Sequence, residues 1–554
     1  MRSNPLLDIK LIRTVITIYH LRLEANQMTM RQNFVIAAVV STVVLLALAL
    51  YSKFWLCGFL VTGPIILIGV RDMTQTRHGI LRLYPVLGHF RYMLESVRPE
   101  IQQYFVESNT DQNPISREFR SLVYQRAKGD RDTRPFGTIF DVNRAGYEWL
   151  NHSLQPKHLS DTDPRVKIGG PNCTQPYMSS PMNISAMSYG ALSKNAIMAL
   201  NKGAKIGGFS HNTGEGSMSP YHLKHGGDIV WQLGTGYFGC RDDEGNFNPK
   251  TFQENATKEV VKMIEIKLSQ GAKPGHGGIL PAAKLTKEIA EIRHVPMGAD
   301  VVSPAAHSAF STPIELLEFV VTLRNLSGGK PIGFKLCIGR RDEFLAICKA
   351  MLETGITPDF ITVDGGEGGT GAAPTEMTNS VGTPIRDALI FVNSALIGVG
   401  LRDKMKIIAS GKMFSAFHVL RALALGADAV NSARGMMLSL GCIQARTCNT
   451  DNCPTGIATQ NPSRNKAIVV SDKAERVANY HRETMVNLVE LVGAAGLNSM
   501  DELEPKHINR RVQGTDVKSY AQLFPSISEG CLLVNDKVPE DWRDDWSAAD
   551  AKSW

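Results

Sequence analysis

Two short stretches decide the predicted fold: Ile407-Ile-Ala-Ser-Gly-Lys412 and Ala427-Asp-Ala-Val-Asn-Ser-Ala-Arg-Gly435. Each is an apolar run typical of a buried strand that passes into a loop with a glycine, and a helical stretch, Phe414 to Leu425, lies between them. Two such units at the end of a longer series are typical of the last strands of a (β/α)8 barrel, where loops commonly bind a phosphate. The sequence therefore predicts an α/β fold, a (β/α)8 TIM barrel with a phosphate-bearing ligand at its mouth.

Three cysteines follow directly, at Cys442, Cys448 and Cys453, within the loop 441–460. Thiolates are ligands for zinc and for iron–sulfur clusters, but the C-x5-C-x4-C spacing does not fit the paired C-x2-C spacing of common structural zinc sites. Three thiolates suit a cluster with three irons. From the spacing alone, a glycine-rich loop with free thiols and a zinc site closed by a distant residue remain open as alternatives.

Further motifs precede the cysteines in a fixed order. They are Ser185-Ala-Met-Ser-Tyr-Gly-Ala-Leu-Ser193, Asn212-Thr-Gly-Glu-Gly216, Gln270-Gly-Ala-Lys-Pro-Gly-His-Gly-Gly278, Val302-Ser-Pro304 with His307, and Asp364-Gly-Gly-Glu-Gly-Gly-Thr-Gly371. With the cysteine run, they make the region from about Lys167 to Arg476 resemble the flavin-binding synthase domain of glutamate synthase. The chain is most similar to the short, archaeal-type branch, the FMN-binding glutamate synthase family. The resemblance implies a barrel that binds FMN and a 3Fe-4S iron–sulfur cluster.

The resemblance also implies roles for individual residues. Those that it assigns to FMN binding are Ser185, Ala186, Met187, Ser188, Gln270, Lys335, Asp364, Gly365, Gly366, Gly411, Ser432, Arg434 and Gly435. It gives catalytic roles to Glu215, which would orient substrate or ammonia, to Lys273, which would anchor a carboxylate, and to Lys335, near the flavin N1. The metal ligands that it implies are Cys442, Cys448 and Cys453.

The activity implied is the reduction of a 2-imino acid by electrons relayed from the cluster to FMN. In glutamate synthase this acid is 2-iminoglutarate, formed from 2-oxoglutarate and ammonia, and the product is L-glutamate. The chain departs from the larger members of the family at one motif, since His276 stands for a Glu, Ile279 for a Gln and Ala282 for a Gly. The missing Gln would remove a polar contact to 2-oxoglutarate, so a related oxoacid is also expected to fit.

Three other functions stay open at this point. One is a related amino-group chemistry on the same flavin barrel, such as N-methylglutamate formation. The second is a membrane electron-transfer module without an oxoacid substrate, and the third is a scaffold subunit that has lost activity. The sequence contains no recognisable glutaminase-like region and no Rossmann G-x-G-x-x-G signature followed by a helix. The expected ammonia source is therefore the solution or another chain, and the expected electron donor is ferredoxin-like or a partner subunit.

The composition restricts the class of protein. Apolar residues make up 43% and charged residues 20% of the 554 residues, which is ordinary for a globular protein. Nine dispersed cysteines, an odd number, do not resemble a secreted disulfide framework. The net charge is +7, but residues 1–95 alone hold ten Lys or Arg and four Asp or Glu. Because the basic excess lies in this segment, no nucleic-acid partner is predicted.

The basic N-terminal segment is also apolar. Phe34 to Tyr51 and Phe54 to Val70 are two nearly unbroken apolar runs, each close to the minimum of about 17 residues for a spanning helix. They predict a membrane hairpin in contact with lipid. The flanking arginines are Arg22, Arg31, Arg71, Arg77 and Arg82. By the positive-inside rule they put both ends of the hairpin, and the barrel, on the cytoplasmic side of the inner membrane. A signal peptide, or a hairpin buried in a homo-oligomer, is the alternative.

Four segments result. Residues 1–82 form the membrane anchor with spans at about 34–51 and 54–70. Residues 83–164 form a helical linker that leads to the barrel. The FMN-binding barrel with its iron–sulfur loop occupies 165–470, and a helical C-terminal extension occupies 471–554.

Overall fold

The structure is a computed structural model that describes residues 29–110 and 113–554. It divides into two compact units, Met1–Glu107 and Ser108–Trp554. Arg22, one of the arginines used to orient the hairpin, lies outside the described residues. Each unit has its own architecture, and the fifteen strands of the described residues all belong to the second.

The first unit contains the two predicted apolar helices. They are Met30–Tyr51 and Phe59–Thr74, joined by the 3-10 turn Lys53–Gly58. A capping box between Thr29 and Gln32 begins the first helix, and none of the residues of that helix is buried. With the turn included, both segments are 22 residues long and apolar enough to cross a membrane by length and composition. The membrane hairpin itself stays a prediction.

The first unit extends beyond residue 82, the predicted end of the anchor. Helices Gly79–Leu83 and Leu87–Ile101 and the π-helical turn Gln102–Val106 belong to it. The buried carboxylate of Asp72, at the end of the second apolar helix, explains this boundary. It accepts hydrogen bonds from the Val86 N–H at 2.9 Å and from His89 Nε2 at 2.9 Å, and so ties the later helix to the hairpin.

The second unit is built on a closed barrel, as predicted. In chain order the fifteen strands are β1 Glu148–Leu150, β2 Val166–Ile168, β3 Tyr177–Ser179, β4 Met182–Ile184, β5 His211–Asn212, β6 Ile229–Leu233, β7 Val261–Lys267, β8 Ile279–Leu280, β9 Val301–Val302, β10 Ile332–Leu336, β11 Phe360–Asp364, β12 Lys406–Ser410, β13 Ala429–Ser432, β14 Ile508–Gln513 and β15 Asp516–Ser519. Eight of them pair in parallel in the order β4, β5, β6, β7, β10, β11, β12 and β13, and β13 closes on β4. The two short strands β8 and β9 pair antiparallel within an insertion after β7, and the helix Lys287–Arg293 lies between them in the sequence.

One end of the barrel is closed by apolar side chains. Interior residues near the N-terminal ends of the strands, including Val230, Met263 and Phe360, form a separate cluster with Ile168 and Tyr177 of the hairpin β2–β3. The other end, where the strands finish, carries polar interior residues. A ligand site is therefore expected at the C-terminal ends of the strands, as in other barrels of this type.

Helices surround the barrel. In the second unit they are Arg117–Lys128, Lys194–Gly207, Pro220–Leu223, Pro249–Ala256, Lys287–Arg293, Pro313–Leu326, Arg341–Thr354, Thr375–Ser380, Ile385–Gly398, Ala416–Ala424, Arg434–Ser439, Pro462–Asn465, Val470–Ala494, Tyr520–Leu523 and Arg543–Ala548. The longest, Val470–Ala494, packs on Lys194–Gly207 so closely that a Cβ on Gly203 would lie 2.7 Å from Val477. This contact joins the start of the C-terminal extension to the barrel.

The rest of the C-terminal extension differs from a purely helical one. After Val470–Ala494, strand β14 pairs with β15 and, across more than 350 residues of sequence, with β1. Strand β14 reads Ile508-Asn-Arg-Arg-Val-Gln513, with charges at positions where a strand is usually apolar. Pairing with a distant segment stabilises it, so its local sequence does not predict it.

Candidate active site

A cavity of about 720 Å3 opens at the C-terminal ends of the barrel strands. Each of the eight strands contributes a residue in the strand or just after it. These residues are Ser185, Gly214, Gln232, Lys267, Lys335, Asp364, Ser410 and Asn431. The volume lies within the range of about 300–1,000 Å3 that is usual for cofactor pockets. The mouth of the barrel is therefore the candidate site.

Most of the predicted site residues line this cavity. They are Ser185, Ala186, Met187, Ser188, Glu215, Gln270, Lys273, Lys335, Asp364, Gly411, Ser432, Arg434, Cys442 and Cys448. Residues separated by more than 260 positions in the sequence are thus brought together around one cavity. Their roles remain predictions, because position alone does not assign chemistry.

Four predicted residues lie behind the cavity wall instead: Gly365, Gly366, Gly435 and Cys453. The three glycines are required by packing. A Cβ on Gly365 would meet Glu367 Oε2 at 2.5 Å, and one on Gly366 would meet the Gly382 carbonyl at 2.5 Å. A Cβ on Gly435 would lie 2.5 Å from Ser432 Oγ. These glycines shape the wall, and their contact with FMN stays a prediction.

One side of the cavity is a group of charged side chains, Glu215, Lys267 and Lys273, here named the charged wall. Lys267 Nζ lies 3.0 Å from Glu215 Oε2. Burial alone would raise the pKa of Glu215, but Lys267, Arg293 and Lys273 outweigh it and hold that pKa below its usual value. A Cβ on Gly278 would lie 2.0 Å from Glu215 Oε1, so only glycine leaves room for this carboxylate.

Lys273 is buried although it lines the cavity, with 1% of its surface exposed. Its Nζ donates a hydrogen bond to the Ala372 carbonyl at 3.0 Å. Burial lowers the pKa of Lys273 to about 8, with Glu215 opposing the shift and Lys267 adding to it. The ammonium group is thus poised near neutral pH, where a bound anion or a proton transfer can use it.

Lys335 and Asp364 form a second buried pair on neighbouring strands. Lys335 Nζ lies 3.3 Å from Asp364 Oδ2, which also accepts a hydrogen bond from the Gly271 N–H at 2.9 Å. Burial works to lower the pKa of Lys335, but Asp364 and Glu265 outweigh it and raise that pKa. Lys335 is therefore a fixed positive charge in the cavity.

A pair of cations lies where a phosphate was predicted. Lys412 and Arg434 both line the cavity, and Arg434 Nη2 donates to the Glu367 carbonyl at 2.7 Å. Burial lowers the pKa of Lys412, and the neighbouring Arg434 lowers it further. Burial also lowers the pKa of Arg434. Two half-buried cations that repel each other favour a bound anion between them.

The loop 441–460, here named the cysteine loop, also lines the mouth. The Tyr124 hydroxyl donates to the Cys442 carbonyl at 2.5 Å and holds the loop to the barrel. Gln444, Arg446 and Asp451 adopt left-handed backbone conformations with φ of 58°, 57° and 62°. Such conformations are costly for residues other than glycine, so the loop holds a specific, strained shape.

The thiols of the cysteine loop lie close enough for charge on one to raise the pKa of another. Burial raises the pKa of Cys442 to about 12, and both other thiols add to that shift. Burial and Cys453 raise the pKa of Cys448. For Cys453, backbone N–H groups of residues 455, 457 and 458 outweigh burial and lower the pKa. Within residues 29–110 and 113–554, no group of three or more His, Cys, Asp or Glu is already arranged around one metal position. The cluster stays a prediction.

Some cavity residues were not predicted from the sequence, namely Gln232, Lys267, Arg293 and Lys412. A signal for one of them was present. In β7 the charged residues Glu265 and Lys267 are two positions apart within an apolar strand, a spacing that puts both on the same face. Arg293 comes from the helix Lys287–Arg293 of the insertion, and its Nη2 donates to the Tyr189 carbonyl at 3.1 Å. Its approach to the cavity depends on that insertion's folding.

Comparison with known proteins gives consistent findings. A family model described as a conserved region in glutamate synthase matches residues 152–498. The chain is 39% identical over 490 residues to the Glutamate synthase large subunit-like protein YerD of Bacillus subtilis (strain 168), with 80% of this chain and 93% of that protein covered. It is 35% identical over 373 residues to an Archaeal glutamate synthase (NADPH) of Methanocaldococcus jannaschii, covering 67% and 69%. A solved structure of a flavocytochrome b2 mutant with pyruvate bound matches with a TM-score of 0.41 at 13% identity, covering 85% of this chain and 96% of that one.

Proposed function

The chain belongs to the glutamate synthase family and is an oxidoreductase of that type, and from this premise we propose that it reduces 2-iminoglutarate, or a related 2-imino acid, to the amino acid with FMN and a 3Fe-4S cluster. The observation that carries the proposal is the charged wall: Glu215, Lys267 and Lys273 face the same cavity as the glycine-rich strand ends. An anionic oxoacid and a nitrogen nucleophile both need such groups.

The cavity residues fit FMN. Gln270 Nε2 is buried and has no hydrogen-bond partner in the described residues, so it is a donor suited to a flavin carbonyl or a ribityl hydroxyl. The small residues Ser185 and Ala186 leave room for a flat ring, and Lys335 would balance negative charge near N1. Lys412 and Arg434 would hold the phosphate. When bound, FMN supplies the hydride for the reaction.

The chain's own side chains would bind and orient the substrate. Lys273 in its charged form would hold a substrate carboxylate, and its lowered pKa also lets it give up a proton. Glu215, kept ionised by Lys267, would accept a hydrogen bond from ammonia or an imine N–H. The loop after β7 and the β8–β9 hairpin would cover the substrate and exclude water.

The cysteine loop would hold the iron–sulfur cluster through Cys442, Cys448 and Cys453. The support is that Cys448 and Cys453 raise the pKa of Cys442, that Cys453 raises that of Cys448, and that Cys442 and Cys448 line the cavity. When bound, a cluster supplies electrons from an external donor, for which we propose a ferredoxin-like protein or a partner subunit. Iron bound to the three sulfurs would offset the mutual repulsion of their negative charges.

The experiment is an absorption spectrum of the full chain, purified anaerobically in detergent, before and after titration with 2-oxoglutarate and ammonium. We expect flavin bands and a broad iron–sulfur absorption, and a change in the flavin bands of the reduced protein only when both substrates are present. A colourless protein would overturn the cofactor proposal. Flavin bands that no oxoacid changes would overturn the substrate proposal alone.

A second candidate is a related amine chemistry, such as N-methylglutamate formation. Ile279, which lines the cavity where larger glutamate synthases have a Gln, favours it because an apolar wall accepts an N-methyl group. Replacing ammonium by methylamine in the same titration separates the two. A larger response to methylamine than to ammonium would favour the second candidate.

We also propose that Met30–Tyr51 and Lys53–Thr74 cross the inner membrane, with the barrel in the cytoplasm. The support is their length, apolar composition and lack of burial. The test is fractionation of cells that express the full chain, followed by alkaline carbonate extraction of the membranes. A protein found in the supernatant would overturn this proposal.

A further inference from the structure

A buried carboxylate lies at the centre of the barrel, beneath the cavity. Glu265, in β7, is 1% exposed and has no role in the functions discussed so far. It accepts hydrogen bonds from three other strands. The donors are Asn212 Nδ2 at 2.9 Å, Gln232 Nε2 at 2.6 Å and Thr362 Oγ1 at 2.6 Å. An ionised carboxylate only accepts hydrogen bonds, so it dictates which atom each neighbour presents to it.

The orientation of the Asn212 amide has independent support. The Gly214 N–H donates to Asn212 Oδ1 at 3.0 Å, and a backbone N–H can only donate. The Asn212 Nδ2 must therefore face Glu265, as it does. This agreement supports the reading of Glu265 as an acceptor on all sides. Asp364 and Glu265 also both raise the pKa of the neighbouring Lys335, so negative charge is concentrated at this floor.

Glu265 therefore fixes the orientation of the Gln232 side-chain amide. Its backbone N–H donates to Thr213 Oγ1, and its side chain lines the cavity although it is only 2% exposed. With Nε2 committed to Glu265, its Oε1 is left as an acceptor, and Oε1 has no hydrogen-bond partner in the part of the chain that the structure describes. An acceptor at the floor of a cavity calls for an N–H donor on the ligand.

We propose that Glu265 is a positioning residue that fixes the Gln232 amide, so that Gln232 Oε1 accepts a hydrogen bond from the N3–H of the flavin ring. The inference rests on the proposed function, because it takes FMN as the occupant. Gln232 then recognises the N3–H group of the flavin ring, which the contacts to the phosphate and the ribityl chain do not recognise. Asn212 Nδ2 and Gln232 Nε2 both donate to the same oxygen, Glu265 Oε1, so a Gln at position 265 would keep an acceptor there and present its own N–H group to Thr362. A Met at position 265 is of similar length but removes the acceptor, which frees the Gln232 amide to turn over.

The test measures the ratio of two affinities for the detergent-solubilised full chain after removal of its flavin. The probes are FMN and N3-methyl-FMN, which lacks the N3–H. For the wild type we expect FMN to bind at least tenfold more tightly, because the methylated ring leaves Gln232 Oε1 unpaired and buried. In Glu265→Met we expect the ratio to fall to about twofold, because the freed amide can turn its N–H group into the position of Oε1, whereas Glu265→Gln should keep the wild-type ratio.

Two further variants guard the interpretation. Gln232→Leu keeps Glu265 and should also lose the discrimination, which tests the inference even where Glu265→Met does not fold. Asp359→Asn is the matched control, since Asp359 is a buried carboxylate paired with Arg324 at the other end of β11. It should lower stability but keep the wild-type ratio.

The outcomes separate the two levels of the argument. Equal binding of both flavins by the wild type, or an unchanged ratio in folded Glu265→Met, overturns the inference and leaves the proposed cofactor standing. A wild-type protein that binds neither flavin overturns the proposed function and the inference together.

Discussion

The charged wall and the cysteine loop both line the same cavity, yet they are stabilised in different ways. In the charged wall the Glu215 carboxylate pairs with Lys267 Nζ at 3.0 Å, and Lys273 Nζ donates to the Ala372 carbonyl at 3.0 Å. In the cysteine loop the thiols repel one another when ionised, and the backbone holds strained conformations at Gln444 and Arg446. The chain itself therefore preorganises the charged wall, whereas the sulfurs of the cysteine loop would need a positive partner such as the proposed cluster.

The largest expected effect tests that dependence directly. Cys448→Ser should abolish the iron–sulfur absorption and the bound iron of the anaerobically purified protein, because serine is a poor ligand for a sulfide cluster. The flavin bands should persist, since the charged wall and Lys335 are untouched. Iron analysis and the absorption spectrum measure both.

The control for Cys448→Ser is Cys173→Ser. Cys173 is half-buried beside the Gly329 carbonyl at the closed end of the barrel, away from the cavity. It should keep its iron. An unchanged iron content in Cys448→Ser would show that Cys448 is not an iron ligand, and the thiols would then be no more than free cysteines in a loop.

The second prediction concerns a buried ion pair on the floor of the cavity. Lys335→Met should destabilise the protein by about 3–5 kcal/mol, because Asp364 is left as a buried charge without its ammonium partner. FMN affinity should fall with it. Thermal unfolding and flavin titration measure the two effects.

The double variant Lys335→Met with Asp364→Asn provides the control. It removes both charges, so most of the stability should return while the FMN affinity stays low. If stability does not return, the loss in the single variant comes from packing and not from the unpaired carboxylate.

The architecture was largely predictable from the sequence, and the reasons are local. The last two barrel strands were predicted from apolar runs that end in glycine loops, and they are β12 and β13. Such runs are buried on both faces and so keep a strong signal. The strand β14 was not predicted, because its charged residues are stabilised by pairing with β1, a contact that no local pattern carries.

The site was predictable where a motif surrounds a residue and not where folding alone brings it in. Glu215, Lys273 and Lys335 lie in recognisable runs, and all three line the cavity. Arg293 lies in an ordinary amphipathic helix, and its approach to the cavity depends on the position of that insertion. The spacing of Glu265 and Lys267 held a usable signal, since two charges on one face of an apolar strand need a polar surrounding.

The third prediction uses the lowered pKa of Lys273, about 8. Anchoring a carboxylate and donating a proton both need the ammonium form, which is lost as the pH rises through the pKa. For the free enzyme, kcat/KM should therefore fall about tenfold per pH unit above pH 8. In Lys273→Arg the fall should disappear, because a guanidinium keeps its charge over this range.

Lys330→Arg is the matched control for this pH profile. Burial also lowers the pKa of Lys330 to about 8, but its Nζ donates to the Ala256 and Lys258 carbonyls, outside the cavity. Its variant should keep the wild-type profile. A profile that Lys273→Arg does not change would remove Lys273 from the charged wall's proposed role.

The smallest expected effect concerns the substrate side of the comparison. Ile279→Gln restores the amide found in larger glutamate synthases, and Ile279 lines the cavity from β8. One added hydrogen bond contributes about 1 kcal/mol, so the KM for 2-oxoglutarate should fall about fivefold. Val302→Gln, on the facing strand β9 and 58% exposed, is the control and should change nothing. If Ile279→Gln instead raises the KM while methylamine remains the better amine for the wild type, the apolar wall belongs to the native substrate pocket. The preorganised side of the mouth would then be built for a substituted amine, and the second candidate function would replace the first.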